Sequence, residues 1–165
     1  DKAMALAERA YETSHRVFRE TNLVALHSAA NLGSLYAQMG RPDEAAPILT
    51  RSLELSRQHL GEGHGITICC ALKLCILHRR QGQYDKHDPL LIDLLDVIRR
   101  EHGEQSVLAG FAKYGLNVRV RQLVEHVKTL EASANRDAAA TAKIRLKEIR
   151  SALKGPSEAP MERAN

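Results

Sequence analysis

Two stretches of the chain, GRPDEAAPILTRSLELSRQHLGE (residues 40–62) and GQYDKHDPLLIDLLDVIRREHGE (residues 82–104), are related by an offset of 42 residues. They share eight identities in 23 positions, where chance would give about one or two. The matching positions include the glycines at both ends, a proline near each start and leucines at helical spacing. We therefore predict that the chain is built from a repeated unit of 42 residues.

Each unit is predicted to contain two helices, because its apolar residues recur at helical spacing and glycines follow each apolar run. Gly40 and Gly61 end the two helices of the first complete unit, since glycine tolerates positive φ. Farther along, Val124 stands where the next turn glycine would fall, which predicts one long helix there. The complete prediction is seven helices and no strand, over residues 1–20, 22–39, 42–60, 66–81, 84–100, 106–132 and 137–153.

Helix pairs at a fixed period resemble tetratricopeptide repeats, and the period resembles the 42-residue kinesin-light-chain variant. The resemblance covers about residues 1–116 and rests on the following segments: NLGSLY (31–36), GRPDEA (40–45), PIL (47–49), RSLEL (51–55), LGEGH (60–64), QGQYD (81–85) and PLL (89–91). It implies an all-α fold in which antiparallel helix pairs stack as a right-handed superhelical solenoid with a degenerate C-terminal capping region.

The predicted repeat domain spans residues 1–154, and a disordered tail is predicted for residues 155–165. Asp1 aligns with Asp43 and Asp85, so the chain is expected to begin at the second helix of a unit and to be a segment of a larger protein. The parts expected within the domain are a truncated unit (1–20), two complete units (21–62 and 63–104), and a degenerate unit with a capping helix (105–154). The first helix is expected to leave apolar residues uncovered: Leu6, Tyr11, Val17 and Phe18.

Small side chains are expected where the two helices of a unit cross. Gly33 and Ala45 hold these positions in the first complete unit, and Cys75 and His87 hold them in the next. Histidine is larger than alanine, so the third helix pair, counted from the truncated unit, is expected to be splayed or shifted at His87.

Composition favours a helical protein, and the residues that could carry catalytic or metal chemistry are not arranged for it. Aromatic residues are 4% of the chain and Trp is absent, which disfavours β-sandwiches and barrels. Cys69, Cys70 and Cys75 are an odd, clustered set, which disfavours a disulfide framework. Cys69 and Cys70 point about 100° apart on a helix and lack the ligand spacing of a zinc site. We therefore expect free thiols and a cytoplasmic location. No membrane-spanning helix, no cofactor and no enzymatic activity are expected, and the carboxylates are assigned to caps and solvated faces: Glu44, Asp85, Asp88 and Asp93.

Protein–protein interaction is the favoured function. The resemblance implies that the first helix of each unit lines a concave groove, where a peptide or partner protein, expected to be acidic, would bind. The candidate peptide-binding residues are His27, Asn31, Ser34, Gln38, Lys73, Ile76, Arg79, Arg80, Phe111, Tyr114 and Arg121. Their basic members could meet carboxylates, and their apolar and aromatic members could anchor the peptide.

Two alternatives follow from the charge distribution. Residues 113–154 contain ten basic and four acidic side chains, whereas the whole chain has a net charge of only +4. This basic third could bind nucleic acid or another acidic surface, although aromatic residues for base stacking are scarce. Self-association through the last helix, giving a homo-oligomer, is the other alternative.

Overall fold

The computed structural model describes residues 2–133 and 135–155 of the 165-residue chain. These residues form seven α-helices, and the described part contains no strand. The helices are α1 (Lys2–Val17), α2 (Leu23–Gln38), α3 (Pro42–Leu60), α4 (Gly65–Arg80), α5 (Tyr84–His102), α6 (Val107–Ala132) and α7 (Arg136–Lys154). The predicted all-α fold is confirmed. The predicted disordered tail lies outside the described residues, apart from Gly155.

The chain divides after Glu104 into two compact units. In the first unit, each of the helices α1 to α4 packs against the next one along the chain. Helix α2 also contacts α4, two helices further on. Successive contacts together with this second-neighbour contact are the arrangement of stacked helix pairs. The second unit contains α6 and α7, which pack against each other.

The 42-residue period is visible in the backbone as well as in the sequence. Gly40 and Gly82 have φ values of 72° and 70°, and Gly61 and Gly103 have φ values of 86° and 84°. These left-handed conformations end the helices where L-residues with a Cβ would be strained. The repeated glycines therefore set the same turn geometry in both units.

Helix starts follow the same period through their N-caps. Asn22 Oδ1 accepts the Val24 N–H, His64 Nδ1 accepts the Ile66 N–H, and Ser106 Oγ accepts the Ala109 N–H. These three N-cap residues are 42 positions apart, at the first turns of α2, α4 and α6. Each satisfies one of the backbone donors that the first helical turn leaves without an intrahelical partner.

The close crossing of α2 and α3 is confirmed. A Cβ built on Gly33 would lie 2.8 Å from Leu49 Cγ and 3.4 Å from the Ala45 carbonyl oxygen. Gly33, Ala45 and Leu49 are all buried. The absence of a side chain at Gly33 is therefore what allows the two helices to approach.

The assignment of Asp88 to a cap or a solvated face is wrong. Its carboxylate is fully buried on α5, and the His87 Nδ1–H donates a hydrogen bond to Asp88 Oδ1 over 2.8 Å. The His87 side chain is buried too, in the position that Ala45 holds one period earlier. The structure thus places a polar pair inside the helix stack, while the predicted splaying at His87 stays a prediction.

In the second unit, the long helix predicted from the loss of the turn glycine is confirmed, because α6 runs through Val124 without a break. The apolar stripe of α7 is buried at Ala142, Leu146 and Ile149 and half-buried at Ala138 and Leu153. Among the described residues, no helix is both long and apolar enough to cross a membrane.

Candidate functional site

Eight of the eleven predicted site residues lie on α2 and α4, and the side of the first unit that these two helices line together is called the α2/α4 face below. Two hydrogen bonds join the helices there. The Lys73 ammonium donates to Asn31 Oδ1 over 3.1 Å, and Arg80 Nη1 donates to the Ala37 carbonyl oxygen over 3.0 Å. Asn31 and Lys73 are one period apart, so the repeat brings equivalent positions of successive first helices into direct contact.

Asn31 is the centre of a polar network. Its Nδ2–H donates to His27 Nδ1 over 3.3 Å, while its Oδ1 accepts from Lys73. Both ends of this amide are therefore engaged within the protein. The ammonium of Lys73 has three N–H donors, so it keeps donors for a ligand while Asn31 fixes its position.

Further along the face, the polar pair Gln38 and Ser34 is joined by a hydrogen bond of 3.3 Å from Gln38 Nε2 to Ser34 Oγ. Ile76 and Arg79 are exposed on α4, as is Arg80. Besides the network, α2 and α4 thus expose one apolar and several polar candidate side chains.

Some basic residues of the first unit are neutralised by a nearby carboxylate. Arg41 pairs with Glu44, and Arg51 pairs with Glu20. By contrast, within the described residues, Lys73, Arg79 and Arg80 form no ion pair with a carboxylate. The α2/α4 face therefore carries positive charge that is not neutralised locally, which suits an acidic ligand.

An apolar groove of about 590 Å³ between α1 and α2 adjoins the network. His27 and Asn31 belong to both, and the remaining lining residues are Leu6, Ala7, Ala10, Leu23, Val24 and Ser28. The Leu6 side chain is 65% exposed, and Leu23 and Val24 are exposed as well. These three are not among the predicted site residues, although the uncovered face predicted for the first helix includes Leu6.

The other three predicted site residues lie on α6 in the second unit. Phe111 is 61% exposed and Tyr114 is 67% exposed, and the Arg121 side chain is exposed too. Their membership of a common groove with the α2/α4 face stays a prediction.

Cys70 and Cys75 lack the lowered pKa of a catalytic thiol. Burial raises the pKa of Cys70 to about 11 and that of Cys75 to about 12. Catalytic cysteines require the opposite shift, since the thiolate is the nucleophile. Cys69, Cys70 and Cys75 are free thiols, and the described residues contain no cluster of three potential metal ligands.

Comparison with known proteins agrees with this geometry. Residues 1–58 match the sequence model of the tetratricopeptide repeat. The match ends within α3, and the same backbone period continues beyond it through the glycine and N-cap positions described above.

Two solved structures share the tetratricopeptide-repeat fold along most of the chain. A kinesin light chain with TPR-like repeats from Podosopora anserina has a TM-score of 0.65 at 14% identity, over 94% of this chain and 89% of its own. BtubC (BKLC) from P. vanneervenii has a TM-score of 0.59 at 18% identity, over 99% of this chain and 78% of its own. No curated protein matches the chain. The kinesin-light-chain-like repeat fold predicted from the sequence is confirmed, and tetratricopeptide repeats generally mediate interactions between proteins.

Proposed function

We propose that the chain is a non-catalytic scaffold that binds an acidic peptide segment of a partner protein on the α2/α4 face. The observation that carries this proposal is the contact between Lys73 and Asn31, which holds a positive charge at a fixed place without neutralising it. Arg79 and Arg80 add positive charge on the same helix. The raised pKa values of the buried thiols support a non-enzymatic role, and free thiols support a reducing location such as the cytoplasm.

The bound peptide would use both parts of the surface. Its carboxylates would accept hydrogen bonds from Lys73 and Arg80, and an apolar side chain would enter the groove at Leu6 and Val24. Charge-assisted hydrogen bonds contribute about 1.5–3 kcal/mol each when partly desolvated, whereas a fully exposed ion pair contributes about 1 kcal/mol or less. Burial of an apolar anchor beside the network would provide the desolvation that makes the charges effective.

A selection from a random peptide library tests the proposal, followed by fluorescence-anisotropy titration of the selected peptides. The wild-type chain should enrich peptides rich in Asp and Glu. In the charge-reversal variant Lys73→Glu/Arg80→Glu, these peptides should bind at least about tenfold more weakly, because two favourable contacts become repulsive. The matched control is Arg9→Glu/Arg16→Glu, which changes the net charge equally at two exposed positions of α1 outside the groove.

A second variant tests the role of the network without a change in side-chain size. Asn31→Asp places a carboxylate beside the Lys73 ammonium and neutralises it, so the selected acidic peptides should again bind more weakly. If both variants keep the wild-type helical circular dichroism spectrum and the wild-type affinity, the α2/α4 face is not the binding site.

A further inference from the structure

Helix α7 carries a narrow basic stripe on its exposed side. Its members are separated by seven, four, three and four residues: Arg136, Lys143, Lys147, Arg150 and Lys154. At 100° per residue these positions fall within an arc of about 60°, and they extend along about 27 Å of helix. All five side chains are exposed, and the acidic residues of α7, Asp137 and Glu148, fall outside this arc.

The charge of the stripe is mostly uncompensated. Lys143 pairs with Glu131 of α6 over 2.5 Å. In the part of the chain that the structure describes, Arg136, Lys147, Arg150 and Lys154 have no ion-pair partner. Neutralisation within the protein therefore does not account for this concentration of like charge, which on a helix is unfavourable.

The stripe borders a depression of about 450 Å³ that has an apolar component. Its lining residues are Lys143, Leu146, Lys147, Arg150, Ser151 and Lys154. Leu146 is buried, so it contributes to the floor, whereas the exposed basic side chains stand at the rim. The segment from Lys143 to Lys154 is about 16 Å long, which is the length of about five residues of extended polypeptide.

We infer that the basic stripe of α7 is a docking surface for an extended acidic protein segment of about five residues. This surface belongs to the second unit and does not depend on the α2/α4 face. Carboxylates of the segment would lie along Lys147, Arg150 and Lys154, and a small apolar side chain would contact Leu146. The polar rim and apolar floor match the chemistry of a polypeptide that carries both kinds of side chain.

Two other classes of acidic partner fit the surface less well. A helix that binds an anionic membrane buries its apolar side in the lipid interface, but the apolar residues Ala142, Leu146 and Ile149 of α7 are already buried in the protein. Proteins that bind single strands of nucleic acid stack bases on aromatic side chains, and α7 contains none.

Fluorescence anisotropy with a labelled oligoglutamate peptide tests the inference. The charge-reversal variant Lys147→Glu/Arg150→Glu should weaken binding of this peptide at least tenfold at low salt. These positions are preferable to Lys154, because a basic residue in the last turn also stabilises the helix through its dipole. The charge-retaining variant Lys147→Arg/Lys154→Arg and the α1 control Arg9→Glu/Arg16→Glu should both bind within twofold of the wild type.

Three outcomes would overturn the inference. The first is wild-type affinity in a folded Lys147→Glu/Arg150→Glu chain, with folding checked by circular dichroism. The second is complete loss of oligoglutamate binding in Lys73→Glu/Arg80→Glu, which would assign the peptide to the α2/α4 face. The third is tighter binding of a duplex DNA oligonucleotide, or of phosphatidylserine-containing vesicles, that depends on the same α7 residues. Neutralisation by Lys147→Gln/Arg150→Gln should weaken binding less than charge reversal does.

Discussion

At the scale of single residues, the smallest side chains set how closely two neighbouring helices can approach each other. Gly33 allows α2 and α3 to cross with Leu49 against the helix backbone. Cys75 takes the equivalent position in the next unit, and it is buried there. Sequence reasoning found both positions because the period aligns them. It missed the burial of Asp88 for two reasons. A single carboxylate in a helix is usually solvated. Its buried partner, His87, is the adjacent residue in the chain, and adjacent residues of a helix do not normally face each other.

A methyl group at Gly33 should destabilise the protein. In Gly33→Ala the new Cβ would clash with Leu49 Cγ, so the helices must separate, and overpacking of this kind costs about 1–3 kcal/mol. Urea denaturation would measure the free energy of unfolding. The control is Gly65→Ala, where a Cβ would meet no atom within 4 Å. A Gly33→Ala chain as stable as the wild type would show that the crossing is not tightly packed.

The buried pair on α5 should show strong energetic coupling. His87→Ala or Asp88→Ala alone leaves a buried polar group without its 2.8 Å partner, and such changes cost about 3–5 kcal/mol. The double variant restores the Ala–Ala sequence that the preceding unit has at Ala45 and Ala46. In urea denaturation, the double variant should therefore lose much less free energy of unfolding than the two single variants lose in sum. Additive losses would mean that the two side chains act independently.

At the scale of helices, starts and ends were predictable to within a few residues. The helix predicted over 22–39 runs from Leu23 to Gln38, and the one predicted over 106–132 runs from Val107 to Ala132. Glycines and apolar spacing are local signals, which explains this accuracy. The groove beside α1 was harder to predict, because its shape depends on how the helices pack. The exposed α7 stripe appeared in the sequence only as an excess of basic residues in the C-terminal third.

The N-cap of α4 gives an element-scale prediction. In His64→Ala the Ile66 N–H loses its acceptor, which should lower the free energy of unfolding by about 0.5–2 kcal/mol. His64→Asn should retain the wild-type stability, since Asn22 caps α2 from the equivalent position. Urea denaturation of both variants checks this. If Ala and Asn at this position gave the same stability, capping would not be the role of His64.

At the scale of the whole molecule, the buried thiols connect folding to pH. Burial raises the folded-state pKa values of Cys70 and Cys75 from about 9 to about 11 and about 12. Between pH 9 and 11 the unfolded chain therefore loses thiol protons that the folded chain retains. Because the unfolded state then binds fewer protons, stability must fall as pH rises through this window.

Urea denaturation between pH 8 and pH 11 would reveal this loss. The wild-type chain should lose stability more steeply with pH than a Cys70→Ala/Cys75→Ala chain, in which lysine and tyrosine titration remains but the two thiols do not. Below pH 8, the free energies of unfolding of the wild type and of the variant should change with pH in parallel. Parallel curves over the full range would mean that the thiols ionise equally in both states.

The N-cap positions have a consequence for how far this sequence can diverge. Asn22, His64 and Ser106 are three different amino acids, yet each supplies an acceptor to the first turn of a helix. Drift among such equivalents erases identity but leaves the backbone unchanged, consistent with a TM-score of 0.65 at 14% identity. Distant relatives of this chain should therefore be easier to find by aligning hydrogen-bond acceptors and left-handed glycines at the 42-residue interval than by counting identical letters.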